Sequence, residues 1–181
     1  MAWNALLRAL RAGPATVALA PPDQADIAEL AARLKATSLR KLGRSLAIRE
    51  VDSGSCNGCE LEIQMIGSVV YDLERFGLRF VASPRHADIL LVTGPVTRNM
   101  RDALIRTWQA TPDPKWVVAI GDCAIDGGVF KGSPAILGGI DVALPVDLVI
   151  RGCPPSPAAI LAGLCALVEA HSRPDTRPRL R

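Results

Sequence analysis

Aromatic residues make up only 4% of this 181-residue chain, with a single tyrosine, which removes the stacking platform that binders of single-stranded nucleic acid rely on. No run of about eighteen consecutive apolar residues occurs, so no segment is expected to span a bilayer. The chain has neither Gly-x-Gly-x-x-Gly nor a glycine-rich loop closing on Lys-Ser/Thr. Gly121, Gly127, Gly128 and Gly132 fit neither spacing, which argues against an independent flavin or nucleotide enzyme. Internal repeats are absent. No pair of side chains suggests itself for acid–base catalysis, so the chain reads as part of a larger machine and not as an enzyme with its own substrate pocket.

What is present is a large apolar fraction, 49% with a mean hydropathy of +0.24. That is enough to bury one core of ordinary domain size and speaks against global disorder. The net charge of +3 is unevenly spread. Residues 1–50 carry eight Lys/Arg against four Asp/Glu, residues 51–172 nine against thirteen, and residues 173–181 four against one. An acidic body with two basic ends suits arms that touch a partner or a membrane surface, or simply solvated termini; it does not suit a nucleic-acid groove. The opening segment is broken by Arg8 and Arg11, too early for a signal-peptide core. The protein is therefore expected in the cytoplasm, where five cysteines point to metal or redox chemistry before disulfides.

Residues 1–44 read as a helical arm: an amphipathic helix over Trp3–Leu10, a stop at Gly13-Pro14, then a helix from Asp23 or Asp26 to about Leu42, ended by Gly43. Residues 45–172 alternate strands and helices. Strands are expected at Leu46–Val51, Leu78–Ala82, Ile89–Val92, Trp116–Ile120 and Asp147–Ile150. Helices are expected from Cys59 to about Phe76, from Met100 to Ala110, and from Pro157 to about His171 with Ser156 as cap. In the first of these, Leu61, Met65, Ile66, Val69, Val70 and Leu73 are spaced for one apolar face. The alternation implies an α/β fold with a parallel sheet wrapped on both faces. Residues 173–181 form a basic tail.

Three of those strands run straight into cysteine-bearing loops: Cys56-Asn57-Gly58-Cys59 after the first, Cys123 after the Trp116 strand, and Cys153 after the last. If the three are parallel neighbours, their carboxyl ends open on one sheet edge, where α/β folds place their ligands. Four thiolates at one spot make the usual ligand set for an iron–sulfur cluster. Two rivals remain. A thioredoxin-like dithiol would use Cys56 and Cys59 and leave the other two unexplained; a structural zinc site more often uses paired cysteine knuckles. Cys165 lies among leucines in the last helix and reads as a core thiol.

The segments Glu50-x-Asp52-x-Gly54-x-Cys56-Asn57-x-Cys59-Glu60, Pro84 to Thr97, Gly121-x-Cys123, and Pro145 to Pro157 resemble the small subunit of membrane-bound, energy-converting nickel–iron hydrogenases. That family is similar to the cluster-bearing 20 kDa subunit of respiratory complex I. The resemblance covers about residues 35–170. It implies a flavodoxin-like fold and one [4Fe-4S] cluster next to the active site of a large catalytic subunit, held by Cys56, Cys59, Cys123 and Cys153. It also implies a ferredoxin-like iron–sulfur subunit and membrane subunits as partners, and a peripheral position on the inner face of the cell membrane. Complex I subunits have adjacent cysteines at the first site, whereas Asn57-Gly58 separates Cys56 from Cys59 here, which favours the hydrogenase branch. Small subunits of uptake hydrogenases carry further clusters on a cysteine-rich extension, and none is present in this sequence.

Other residues have two readings each. Glu60 is a candidate proton relay, or an acid that favours the helix macrodipole. Asp52 and Asp122 either tune a cluster through charge and hydrogen bonding or cap turns. Thr97 is a candidate donor to a cluster sulfur from the end of a strand on the same edge. His86 is expected to pack or face solvent, and His171 needs no function beyond a positive charge at a helix end.

Overall fold

Ile89-Leu90-Leu91-Val92-Thr93 has no position suited to water, the pattern of a strand covered on both faces. In the computed structural model, which describes residues 24–42, 45–72, 74 and 78–170, every residue of this strand is buried. The expected Trp3–Leu10 helix, Asp23, Gly43, Leu73, Phe76, His171 and the basic tail lie outside the described residues. The chain runs through α1 (Gln24–Leu42), β1 (Leu46–Asp52), α2 (Gly58–Ile66), β2 (Leu78–Phe80), β3 (Ile89–Thr93), β4 (Val96–Thr97), α3 (Arg101–Ala110), β5 (Trp116–Ile120), α4 (Asp122–Asp126), β6 (Ile136–Gly138), β7 (Leu148–Ile150) and α5 (Pro157–Ala170). Five strands form one all-parallel sheet in the order β2-β1-β3-β5-β7. This is the strand order of flavodoxin-like folds. β4 and β6 make a separate antiparallel pair.

Alternate residues of the strands feed two cores. Ile89, Leu91, Val118 and Ile120 pack with Ile63 and Ile66 of α2 and with Ile160, Leu161 and Leu164 of α5. Leu90, Val92, Val117 and Ala119 pack on the other face with Leu104 of α3, Ala124 of α4 and Ile140. α1 is part of the first core: Leu34 is fully buried, and the Cys165 thiol of α5 donates to the Leu30 carbonyl at 3.1 Å. Cys165 is thus the core thiol its neighbours suggested. Ser156 caps α5 as expected, its Oγ accepting the Ala159 N–H at 3.3 Å.

The helix expected from Cys59 to Phe76 stops at Ile66. Gly67 and Ser68 donate to Gln64 and Met65, a tightened last turn, and the β-branched pair Val69-Val70 gives a helix little reason to continue. The expected apolar face fails with it. Leu61, Met65, Val69 and Val70 are 56, 47, 97 and 61% exposed, while Glu60, Ile63, Ile66 and Tyr71 are the buried residues of this stretch. The short α4 and the β4–β6 pair were not expected from the sequence.

Two aspartates set the register at the amino ends of the strands. Asp88, buried just before β3, exchanges bonds with Ala47: its N–H donates to the Ala47 carbonyl at 2.8 Å and its Oδ2 accepts the Ala47 N–H at 2.9 Å. Asp147, before β7, does the same to Val117 at 2.9 and 2.8 Å. Truncating Asp88 to Ala strands a buried N–H, and a loss of about 1–3 kcal/mol is expected in denaturant unfolding, with a smaller loss for Asp147→Ala at its half-buried site. A change within about 0.5 kcal/mol, the range of ordinary surface substitutions, contradicts this role for Asp88. A pH dependence follows from the α1–α5 contact. Burial, and next the nearby Glu169, push the Cys165 thiol up to about 11. Its folded value lies above its unfolded one, so the stability it contributes is complete below about pH 8.5 and is lost as the pH rises toward 11. Thermal melts should show that alkaline loss weakened in Cys165→Ala.

Candidate metal centre

The first cysteine loop is closed by its own polar side chains. Asp52 Oδ1 accepts the Gly54 and Ser55 N–H groups, each at 2.7 Å, and Ser55 Oγ accepts the Asn57 N–H at 3.1 Å. Asn57 then takes a left-handed conformation, φ 69°, which asparagine tolerates, at the cap of α2. Of its two readings, Asp52 therefore makes the turn-capping contacts. Cys56 is left exposed and Cys59, in the first turn of α2, half-buried.

The loops after β5 and β7 are tied to each other. Gly121 N–H donates to the Ile150 carbonyl at 2.8 Å, Asp122 N–H to the Gly152 carbonyl at 2.9 Å, and Gly152 N–H to Asp122 Oδ1 at 3.2 Å. Asp122 thereby locks the Cys123 loop to the Cys153 loop. Cys123 is buried in α4, and Cys153 is exposed.

β1 is not the neighbour of β5, because β3 lies between them. The first loop reaches the other two by crossing the end of β3. Ser53, fully buried, holds the crossing: its N–H donates to Thr93 O at 3.0 Å, and its Oγ lies 2.7, 3.0 and 3.1 Å from the carbonyl oxygens of Thr93, Gly94 and Pro95. Gly94, at φ 72°, lies directly beneath; a β-carbon there would strike the Ser55 backbone. Thr97 also serves the crossing. Its Oγ1 donates to the Ser53 carbonyl at 3.0 Å, so its hydroxyl is not directed to a sulfur, and it stands in the β4–β6 pair, off the parallel sheet. Sequence reasoning missed Ser53, whose only signal was a serine flanked by the Asp52 and Gly54 turn residues.

Beyond the crossing the three loops meet. A β-carbon on Gly121 would sit 2.6 Å from Cys59 Sγ and 3.4 Å from the Gly152 carbonyl oxygen, and one on Gly58 would sit 3.5 Å from Cys56 Sγ and 3.9 Å from Pro154 Cδ. The cysteines sense one another. Burial pushes the Cys59 thiol up to about 12, helped by Glu60 and then by Cys56, Cys123 and Cys153. Burial also raises Cys123, against a hydrogen bond from the Val129 backbone N–H and together with Cys153 and Cys56. Four soft sulfur donors suit an iron–sulfur cluster, and glycines keep side-chain bulk away from two of them. Among the described residues, no group of three or more His, Cys, Asp or Glu side chains is arranged to hold a single metal ion.

Glu60 follows Cys59 and is 8% exposed, with both carboxylate oxygens buried and without a hydrogen-bond partner. Glu50, across from it on β1, has its carboxyl pushed up by burial first and by Glu60 next. His86 is exposed in a 3₁₀ turn over Pro84–His86, away from the cysteines.

Comparison with known proteins follows the same lines. Formate hydrogenlyase subunit 7 of Escherichia coli is 49% identical over 142 residues, 78% of this chain. The chain spans 56% of that relative's length. A probable membrane-bound hydrogenase subunit of Pyrococcus furiosus, mbhJ, is 50% identical over 71% of this chain and 77% of its own. A chain of the membrane-bound sulfane sulfur reductase, an archaeal respiratory membrane complex, superposes with a TM-score of 0.63 at 37% identity, covering 75% of this chain and 74% of that one. A chain of an NAD⁺-reducing [NiFe]-hydrogenase shares the fold, with a TM-score of 0.56 at 22% identity over 76% of this chain and 99% of that one. Residues 56–167, a segment that begins at Cys56 and includes Cys59, Cys123 and Cys153, match the family profile described as NADH ubiquinone oxidoreductase, 20 Kd subunit, and the chain belongs to that family of oxidoreductase-complex subunits.

Proposed function

We propose that this chain is an electron-transfer subunit carrying one [4Fe-4S] cluster, held by Cys56, Cys59, Cys123 and Cys153, beside the active site of a large catalytic subunit in a membrane-bound, hydrogenase-like complex. The observation that carries the reading is the meeting of three cysteine loops at Gly58, Gly121 and Pro154, with the Cys59 thiol raised in part by the other three. When bound, such a cluster takes up and returns single electrons. The chain's own contribution is to hold the sulfurs, to shield Cys123 from water and to keep bulk away from Cys59. Burial raises the Cys59 and Cys123 thiols, and a ligand thiol must lose its proton to bind metal, so filling the site would release protons.

The large subunit is proposed to cover the α2 side. Leu61, Met65, Val69 and Val70 form an apolar surface beside the cluster loop, which marks an interface better than a solvated face. Glu60, whose oxygens lack a partner within the chain, is proposed as the end of a proton path belonging to that interface. The expected boundary between residues 1–44 and 45–172 moves toward the amino end, because α1 packs into the first core through Leu34; residues 1–22 are proposed as the arm toward membrane subunits and 173–181 as a basic tail. A ferredoxin-like subunit is proposed to exchange electrons with the cluster. Among the described residues no helix is long and apolar enough to cross a membrane; a peripheral place on the inner face is proposed from the membrane-bound relatives. A second reading, a complex I-like subunit with quinone as acceptor, draws on the family profile itself. The Cys-x-x-Cys spacing favours the first. The large subunit's sequence decides between them: two Cys-x-x-Cys pairs there mean nickel–iron chemistry.

Anaerobically reconstituted protein is expected to be brown with about four irons per chain, and stoichiometric colourless zinc contradicts the reading. Serine at any of the four cysteines should lose that iron, as should Gly121→Val, while Cys165→Ser keeps it. The isolated chain is expected to show no hydrogen or quinone turnover, and robust turnover overturns the relay role. Deleting residues 1–22 should leave iron content unchanged but release the protein from membranes in fractionation. A truncated chain that stays membrane-bound but loses iron would show that the arm belongs to the fold.

A further inference from the structure

β2 is an edge strand of the parallel sheet and ends at Phe80, after which only the Val81 N–H still reaches β1, at the Ile48 carbonyl, 2.8 Å. Beside that end a groove of about 470 Å³ opens. Its lining includes Phe80 and Val81, Gln64 and Ser68 at the end of α2, and Arg49 and Glu50 of β1. Glu60 belongs to the same wall: Ile63, Gln64 and Gly67, which line the groove, follow it at the i+3, i+4 and i+7 positions of one helical face. Glu60 is 8% exposed, and neither of its carboxylate oxygens has a hydrogen-bond partner. The Nε of Arg49 is buried and equally without one. Two acids against one base leave this groove one positive charge short. The half-buried Glu50 carboxyl agrees with that count, since burial and next Glu60 push it up while Arg49 opposes the shift without cancelling it.

We propose that the groove is a socket for an arginine of the large catalytic subunit, whose guanidinium enters between Glu50 and Glu60 while the main chain beside it offers a carbonyl to Arg49 Nε. A buried carboxylate without a donor is costly to the isolated chain, because its lost hydration is not replaced. An arginine replaces it for both oxygens of Glu60 at once, since its planar fork presents parallel N–H groups, whereas a lysine ammonium is a single point charge. An anion or an apolar molecule in the groove would leave both Glu60 oxygens bare. The covering partner is the large subunit because Val69 and Val70, 97 and 61% exposed, follow Ser68 directly. The apolar surface assigned to that subunit is therefore continuous with the rim of the groove.

This inference rests on the large-subunit interface proposed above and not on the proton path, and the test separates socket from interface. The readout is retention of the large subunit on the tagged chain in the purified complex, with iron measured in parallel. Val69→Glu combined with Val70→Glu charges the apolar surface and should release the large subunit; full retention overturns the interface itself. Glu60→Gln keeps the shape of the side chain and should weaken retention about tenfold or more, as loss of one partner of a buried charge pair does. Glu50→Gln, farther from the cysteines, should weaken it less, and it decides the matter if Glu60→Gln loses iron. A photocrosslinking residue at Ser68 should capture a large-subunit peptide that contains an arginine. Replacing that arginine with glutamine should add little to the loss already caused by Glu60→Gln, the non-additivity of a direct pair. Unchanged retention in iron-replete Glu60→Gln and Glu50→Gln, strictly additive losses, or capture of a small molecule or an arginine-free peptide at Ser68 overturns the socket with the interface intact.

Discussion

The loop after β1 must cross the end of β3 before its two cysteines can meet the other two, and the rest of the site depends on that crossing. A loop passing over the end of a sheet strand buries backbone polar groups that need partners. Ser53 supplies them, with its amide on the Thr93 carbonyl and its hydroxyl among three carbonyl oxygens. Thr97 binds the Ser53 carbonyl from the other side with both its amide and its hydroxyl. Gly94 provides the clearance, because any side chain there would occupy the space of Ser55. Parallel strands with all carboxyl ends on one edge are what let a single crossing bring three loops together.

Once gathered, the cysteines make an environment that opposes ionisation at Cys59 and Cys123. Cys59 carries the strongest effect, since burial and four neighbouring acidic groups, three of them cysteines, all oppose its ionisation. A ligand thiol must lose its proton to bind metal, so filling of the site would be coupled to proton release. Rigidity comes from outside the sulfurs. Asp122 bridges the second and third loops through Gly152, and Asp52 closes the first. Both carboxylates bond backbone amides, and Asp122 also acts on Cys123 through its charge.

α2 runs against its local pattern. Its expected apolar stripe is turned outward at Leu61 and Met65 and continues over Val69 and Val70, while the acid Glu60 is turned inward beside Cys59. An isolated domain would gain from the opposite arrangement. Under the interface proposed above, the outward side chains would be covered by the large subunit. The same helix misled the periodicity argument, because six apolar residues at helical spacing say that a face is buried without saying by what.

The sequence by itself determined the architecture and placed the candidate sulfur ligands. Alternating apolar strands and helices could pack only as a covered parallel sheet, and strands ending in Cys56/Cys59, Cys123 and Cys153 put the sulfurs on its carboxyl edge. Ser156 as a helix cap and Cys165 as a core thiol were legible too, because each depends on neighbours close in sequence or on its own helix face. What only the tertiary structure decided are pairings across the chain: β3 placed between the cysteine strands, Ser53 under the crossing, Thr97 turned to a carbonyl, Asp88 and Asp147 clamping neighbouring strands, and the Gly127-Gly128 turn against Cys123. These are backbone hydrogen bonds and close approaches between segments some 30–45 residues apart, or around glycines whose left-handed turns point the chain back on itself. No local propensity encodes them, because the partner of an amide is chosen by strand order and by which atoms burial leaves unsatisfied.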